Sequence, residues 1–244
     1  MTQSAIAKTS NPLITAASPK LYGKKSQLLF DRLKKAGIVG AKGIIKLDLL
    51  KTEVKISGKS SVGNLLEEWL GQWMKANKIY CRVGHNSQEF PDFYLNAVDD
   101  ADLLEVKTFD FTKSPNFDIA NFDAYVRSLR TKAYRLDADY LIMGYTLLNG
   151  EIKINQIWLK KVWELSCPSG QYAVRTQNKQ KKIINIRPYN FKSNSKGFQP
   201  FTSRLDFVLA IRKTLEKYSR SSSKADIWFT EVTQNYRKIT GGSL

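Results

Sequence analysis

Apolar and polar positions alternate along this chain with two different periods, and the changes between them outline an α/β protein. Residues 24–36 place Leu28, Leu29 and Leu33 at helical spacing and stop at Gly37, the pattern of a helix closed by a glycine. Ser60 or Ser61 can cap a second helix reaching to about Ala76, with Leu65, Leu66, Trp69, Leu70 and Trp73 on its apolar face. Three short strands are expected at 79–83, 92–96 and 103–109, the last two separated by the polar turn Asp99-Asp100. Residues 122–136 return to helical spacing, with Phe122, Tyr125, Val126, Leu129 and Ala133 apolar and Arg127, Arg130, Lys132 and Arg135 between them. An apolar run at 139–148 reads as a buried strand, which Asn149-Gly150 turns into another at 152–158. Basic residues then alternate with aromatics from Arg187 to Arg204, ahead of a helix expected at 203–218. The first 22 residues, rich in Ser, Thr, Ala, Asn and Pro, read as a flexible arm.

The chemistry lies between two of the short strands. Phe90-Pro91-Asp92-Phe93-Tyr94-Leu95 is followed by Leu103-Leu104-Glu105-Val106-Lys107, with twelve residues between Asp92 and Glu105. Residues two apart on a strand share a face, so an aspartate on one strand and a Glu-x-Lys on the next put two carboxylates and an ammonium at one sheet edge. Such a cluster can hold Mg²⁺ and aim a water at a phosphodiester, the signature of a metal-dependent nuclease. Glu-x-Lys alone is common as a solvated charge pair on a strand edge. The preceding Pro-Asp, at hairpin spacing, is what favours the catalytic reading.

Charge supports it. The formal net charge is +17, which favours a polyanionic partner such as nucleic acid or an acidic membrane surface. Residues 1–62 carry 12 Lys and Arg against 3 Asp and Glu, residues 63–150 carry 9 against 13, and residues 151–244 carry 18 against 6. Basic flanks around an acidic centre suit arms that hold phosphates while the middle holds a divalent cation. The 244 residues are expected to form the arm (1–22) and one elaborated domain (23–244), with a catalytic core near 60–160 and a basic DNA-contacting extension near 161–244. No apolar run reaches eighteen residues and the N-terminus lacks a leader pattern, so the expected location is the cytoplasm, away from membranes.

Absences narrow the chemistry further. His85 is the only histidine, and with Cys81 and Cys167 it cannot assemble an ordinary four-ligand zinc site. Nuclease sites that use histidine as base, ligand or nucleophile are disfavoured for the same reason. The segment 37–43 lacks the spacing of a phosphate-binding P-loop and reads as a helix-ending loop able to touch DNA phosphates. His85 itself reads as a turn or substrate-contacting residue rather than a base.

With Pro91-Asp92, Glu105-Val106-Lys107 and the helix bearing Glu67 and Glu68 ahead of them, the chain resembles the PD-(D/E)xK nucleases, and among them the type II restriction endonucleases. The stretches 114–122, 137–142 and 185–191 resemble the NgoBV/NlaIV group. The resemblance implies a mixed central sheet flanked by helices, with basic N- and C-terminal elaborations. It also implies Mg²⁺-dependent cutting of double-stranded DNA within the palindrome GGNNCC, leaving 5′-phosphate and 3′-hydroxyl ends, and a cognate DNA methyltransferase in the same cell.

On this reading Asp92, Glu105 and the backbone carbonyl of Val106 ligate the metal, and Lys107 orients or deprotonates the attacking water. Glu67 is expected to assist from the preceding helix, with Glu68 as its competitor. Lys181 and Lys182 are phosphate-contact candidates, although such a run is equally a solvated loop. Arg187, Asn190, Lys192 and Asn194 are candidates for base-edge readout, since Arg suits guanine and Asn suits adenine edges. A palindromic target and two strands to cut imply a homodimer. The alternatives are a structure-specific repair or recombination nuclease, a non-catalytic DNA-binding module, and an RNA-directed protein.

Overall fold

A computed structural model describes residues 21–58, 61–84, 89–193 and 197–244. The expectations for the arm up to residue 20, for Ser60 and His85, and for Asn194 lie outside these residues. The first element, α1 (Lys24–Lys35), buries Ser26, Leu29 and Leu33 and ends with Arg32, Lys34 and Lys35, cations that suit the negative end of its dipole. Gly37 follows at φ +78, where a side chain would be strained. Three strands absent from the sequence reading come next: β1 (Lys42–Ile44), β2 (Lys46–Leu49) and β3 (Thr52–Lys55).

The second helix, α2 (Val62–Ala76), follows Ser61 but is rotated from the expected orientation. Its buried seam is Val62, Leu66, Leu70 and Met74, while Leu65 and Trp69 are exposed. Gly71 explains the rotation, because a Cβ there would stand 3.2 Å from the Phe93 ring. The glycine lets the helix lie close on the sheet.

The expected strand at 79–83 shrinks to a single bridge between Arg82 and Tyr94. Side-chain bonds hold this segment instead, with the Arg82 guanidinium 3.9 Å from the Tyr94 ring centre and its Nε donating to the Asn96 carbonyl at 3.1 Å. The expected strand at 92–96 is shorter too, as β4 (Phe93–Tyr94), followed by β5 (Leu103–Asp110) and β6 (Ala120–Asn121). The expected helix at 122–136 breaks into α3 (Phe122–Leu129) and a 3₁₀ turn (Ala133–Asp137). The Ala133 N–H, which would have bonded the Leu129 carbonyl, donates to Asn235 Oδ1 at 2.9 Å.

The long hairpin β7 (Asp139–Leu148) and β8 (Glu151–Lys161) turns at Asn149 and Gly150, both at positive φ as a two-residue turn requires. A short α4 (Val162–Leu165), β9 (Thr176–Lys179), β10 (Lys182–Ile186) and α5 (Arg204–Ser219) complete the expected region. Ser203 caps α5 by accepting the Asp206 N–H at 3.1 Å. The chain then continues into α6 (Ser222–Thr240).

The main sheet runs β1-β8-β7-β5-β4 and is mixed: β5 and β7 are parallel, joined by the α3 crossover, and the other pairs are antiparallel. A three-stranded sheet, β6-β10-β9, lies apart from it, and β2-β3 forms a ribbon of its own. One core packs α1 and α2 against Leu104, Val106, Leu141 and Met143. The opposite core packs α3, α5 and α6 against Leu103, Phe109, Tyr140 and Ile142. Alternation along β5 therefore sends Glu105 and Lys107 to the side of α3. Trp228 Nε1 donates to the Val126 carbonyl at 2.8 Å and Arg130 pairs with Glu231 at 2.5 Å, so α6 holds α3 in place.

Candidate active site

Asp92 immediately precedes β4, where register places Phe93 opposite Leu104 and thus Asp92 level with Glu105. Its carboxylate replaces the ladder at this point, with Oδ2 accepting the Val106 N–H at 2.6 Å. On the same face Lys107 Nζ stands 2.7 Å from Glu105 Oε1. The three side chains line one cleft of about 730 Å³ together with Asp118 to Asn121, which lead into the second sheet, with Ala124, Tyr125 and Ser128 of α3, and with Lys132 and Arg135.

Burial dominates the electrostatics. It raises Asp92, against the pull of Lys107 and the Val106 N–H, and it lifts Glu105 to about 7 with Asp92 adding to the rise and Lys107 opposing it. For Lys107 burial acts downward, but Glu105 and Asp92 outweigh it and the ammonium is raised. The site holds two desolvated carboxylates around one secure cation. Among the described residues nothing hydrogen-bonds the buried Glu105 Oε2, or the hydroxyls of Tyr125 and of Tyr140, the residue beside Glu105 in register.

This donor set fits a hard cation. All its candidate ligands are oxygens, and Glu105 Oε2 is a buried carboxylate oxygen that no group among the described residues hydrogen-bonds. Among the described residues no three His, Cys, Asp or Glu side chains gather as a metal cluster. Two carboxylates leave coordination positions for water and phosphate, the way Mg²⁺ is usually held.

Glu67 is near but differently placed. Burial raises its carboxyl first, with Asp92 adding to the rise and Lys107 opposing it, yet it lines an adjoining cleft of about 650 Å³ with Asn64, Gly71, Lys75 and Arg82. Glu68, one residue on, is exposed.

The basic candidates are spread over the second sheet and the segment after it. Lys181 and Lys182 are exposed at the β9–β10 turn. Arg187 binds Asp118 and Asn116, and so braces that part of the cleft lining. Lys192 Nζ donates to the carbonyls of Phe111 and, at 2.8 Å, Lys113, and Asn190 Nδ2 bonds Ser193 at 3.0 Å. Four cleft residues were not singled out from the sequence as site residues: Asp118, Asn121, Lys132 and Arg135. Arg135 donates to the Phe90 carbonyl at 3.1 Å. The run of cations at 127–135 was the available signal for the last two.

A mixed sheet carrying Asp and Glu-x-Lys at the edge of a cleft defines an endonuclease-like protein. The model of the family described as NgoBV restriction endonuclease matches residues 24–244, and the chain belongs to that family. It is 37% identical to the type II restriction enzyme NlaIV of Neisseria lactamica over 223 residues, 90% of this chain and 92% of the relative. It is 35% identical to the type II restriction enzyme NgoBV of Neisseria gonorrhoeae over 159 residues, 64% of this chain and 90% of the relative. The solved structure of NlaIV restriction endonuclease superposes with a TM-score of 0.83, covering 90% of this chain and 91% of that one. The protein is accordingly a type II restriction endonuclease with a mixed α/β fold. Among the described residues no helix is long and apolar enough to cross a membrane.

Proposed function

We propose that the chain hydrolyses phosphodiester bonds of double-stranded DNA at a short palindrome in a Mg²⁺-dependent reaction, leaving 5′-phosphate and 3′-hydroxyl ends. The observation that carries this reading is the meeting of Asp92, Glu105 and Lys107 in one cleft, with Lys107 Nζ 2.7 Å from Glu105. Asp92, Glu105 and the Val106 carbonyl would hold the cation, and Mg²⁺ when bound supplies Lewis-acid polarisation of the scissile phosphate.

The chain's own residues do the rest. Lys107 is held charged by two carboxylates, so it orients the attacking water and stabilises negative charge growing on the phosphate oxygens. Arg135 and Lys132, in the lining of the cleft, offer cations to the flanking backbone. Exposed Lys181 and Lys182 extend that basic track, and Asn190, Lys192 and Arg187 support it from the second sheet and the segment after it. Glu67 lies close enough to Asp92 to tune the metal site from α2. The target is the GGNNCC palindrome that the sequence resemblance implies, cut by a homodimer, with a cognate methyltransferase protecting the host's own sites.

The test is a digest of unmethylated plasmid in Mg²⁺, with EDTA and Asp92→Ala lanes beside it. Discrete fragments that vanish in both controls are expected, and mapping their ends reads the recognition sequence. Fragments that persist in EDTA would remove the metal site, and DNA shifted on a native gel but never cut would remove the catalytic reading.

A further inference from the structure

The ribbon β2-β3 is the one strand pair, among the described residues, that buries nothing: every residue in both strands is exposed. Its register pairs Leu47 with Val54 and Leu49 with Thr52, and these lie on one face because directly opposed residues share a side. Lys46, Asp48, Glu53 and Lys55 occupy the other face. A two-stranded ribbon with an uncovered apolar face and two free edges is marginal alone in water, and it is a template for another strand.

The turn gives an independent sign that contact, rather than local folding, shaped this element. Leu50 and Lys51 sit at φ 50 and 63, the conformation that the β7–β8 hairpin gives to Asn149 and Gly150. A leucine is strained there, and Leu50 is 92% exposed.

Charge decides the occupant. Residues 46–55 carry three lysines against Asp48 and Glu53, close to neutral in a chain of net +17, which is unlike a DNA-docking surface. Each strand instead reads cation, apolar, anion in one direction or the other: Lys46-Leu47-Asp48 and Glu53-Val54-Lys55. Antiparallel pairing about a two-fold axis through Leu47 sets Lys46 of each copy against Asp48 of the other. An axis through Val54 does the same for Glu53 and Lys55. An identical strand matches both ends in this way, exchanging the 2.7 Å Lys46–Glu53 contact within the ribbon for contacts across the axis.

We propose that the β2-β3 ribbon is the surface on which a second copy of this chain docks, edge to edge, into a four-stranded ribbon. The proposal rests on the endonuclease reading only in that cutting both strands at one locus calls for two copies of the cleft.

The test is molar mass by light scattering of the full chain at micromolar concentration, without DNA or metal. Wild type is expected at twice 27.8 kDa. Leu47→Asp with Val54→Asp should move it to monomer with unchanged circular dichroism, weakening association at least tenfold, and should turn double-strand cuts into nicks. Asp48→Lys with Glu53→Lys should do the same. Adding Lys46→Asp and Lys55→Glu to that pair reverses every charge and should restore the dimer, which a merely misfolded ribbon would not do. Leu47→Cys or Val54→Cys should give a disulfide-linked dimer, the position that links reporting which edge pairs. A monomeric wild type, or a dimer undiminished by Leu47→Asp with Val54→Asp, overturns the proposal; so does an apolar-face variant that keeps its mass and loses DNA binding, which would make the ribbon a DNA contact. Mass is read apart from cleavage, so an inactive but dimeric wild type would fail the endonuclease reading alone.

Discussion

Two lysine–carboxylate pairs, each with a buried carboxylate, lie one strand position apart on opposite faces of the main sheet. Lys161 meets Asp139 at 2.6 Å on the α1 side, and Lys107 meets Glu105 at 2.7 Å on the cleft side. The first is closed: Lys161 also donates to the Asp137 carbonyl at 2.5 Å, and Asp139 accepts the Gly23 N–H at 3.0 Å at the start of α1. The second is open, with Glu105 Oε2 unpartnered and a further carboxylate, Asp92, in the same cleft. One ion pair fastens a helix to a sheet, and the other leaves a carboxylate oxygen without a partner among the described residues. Both oxygens of Asp139 have a partner, Oδ1 the Lys161 ammonium and Oδ2 the Gly23 N–H, and that, together with the greater exposure of Lys107, separates the structural pair from the proposed catalytic one.

The sharpest break of that comparison is Lys107→Ala. Cleavage should fall by about 10²–10³-fold, in the range for a lost donor to transition-state charge, while the urea midpoint stays near that of wild type. Lys161→Met should do the reverse. Leaving Asp139 uncompensated costs about 3–5 kcal/mol, read as a lower urea midpoint, with cleavage per folded molecule retained at low temperature.

A smaller effect comes from Glu105→Gln. The folded carboxyl is raised from 4.5 to about 7, so this group imposes no penalty below the unfolded value and its full penalty above the folded one. In EDTA the wild type should gain stability from it as pH falls through that window. The variant should lack that slope and, at pH 8, be more stable by on the order of 2 kcal/mol, though inactive. Equal slopes for the two proteins would contradict the open character of the pair. Smallest of all, Lys181→Ala with Lys182→Ala should change stability by less than about 0.5 kcal/mol. It should flatten the dependence of log K on log salt for DNA binding by at most about two units, since exposed lysines touch neither pair.

The open pair was legible in the sequence because its parts lie within sixteen residues and one period of alternation places Glu105 and Lys107 on a single face. The closed pair was not: Lys161, Asp139 and Gly23 come from three elements, and no local pattern announces that they meet. Distance explains the other differences as well. The break after Leu129 depends on Asn235, a hundred residues away, and the rotation of α2 depends on Phe93 lying under Gly71. The ribbon at 46–55 has no buried face from which its strands could be read. The seam of α6, Ala225, Trp228, Val232 and Tyr236, does fall at helical spacing, so periodicity alone could have extended the reading beyond residue 218.

The two walls of the cleft come from different sheets, the reacting side from β5 and the facing side from β6 and its brace Arg187. The walls nonetheless meet in one core, where the Phe109 ring of β5 lies 6.3 Å from that of Phe117 and 5.9 Å from that of Phe191. Redesign of the facing wall is therefore confined to its exposed positions, Asn116, Asp118 and Asn121, because Phe117, Ile119 and Ile186 belong to the core that also holds Phe109 of the strand carrying Glu105.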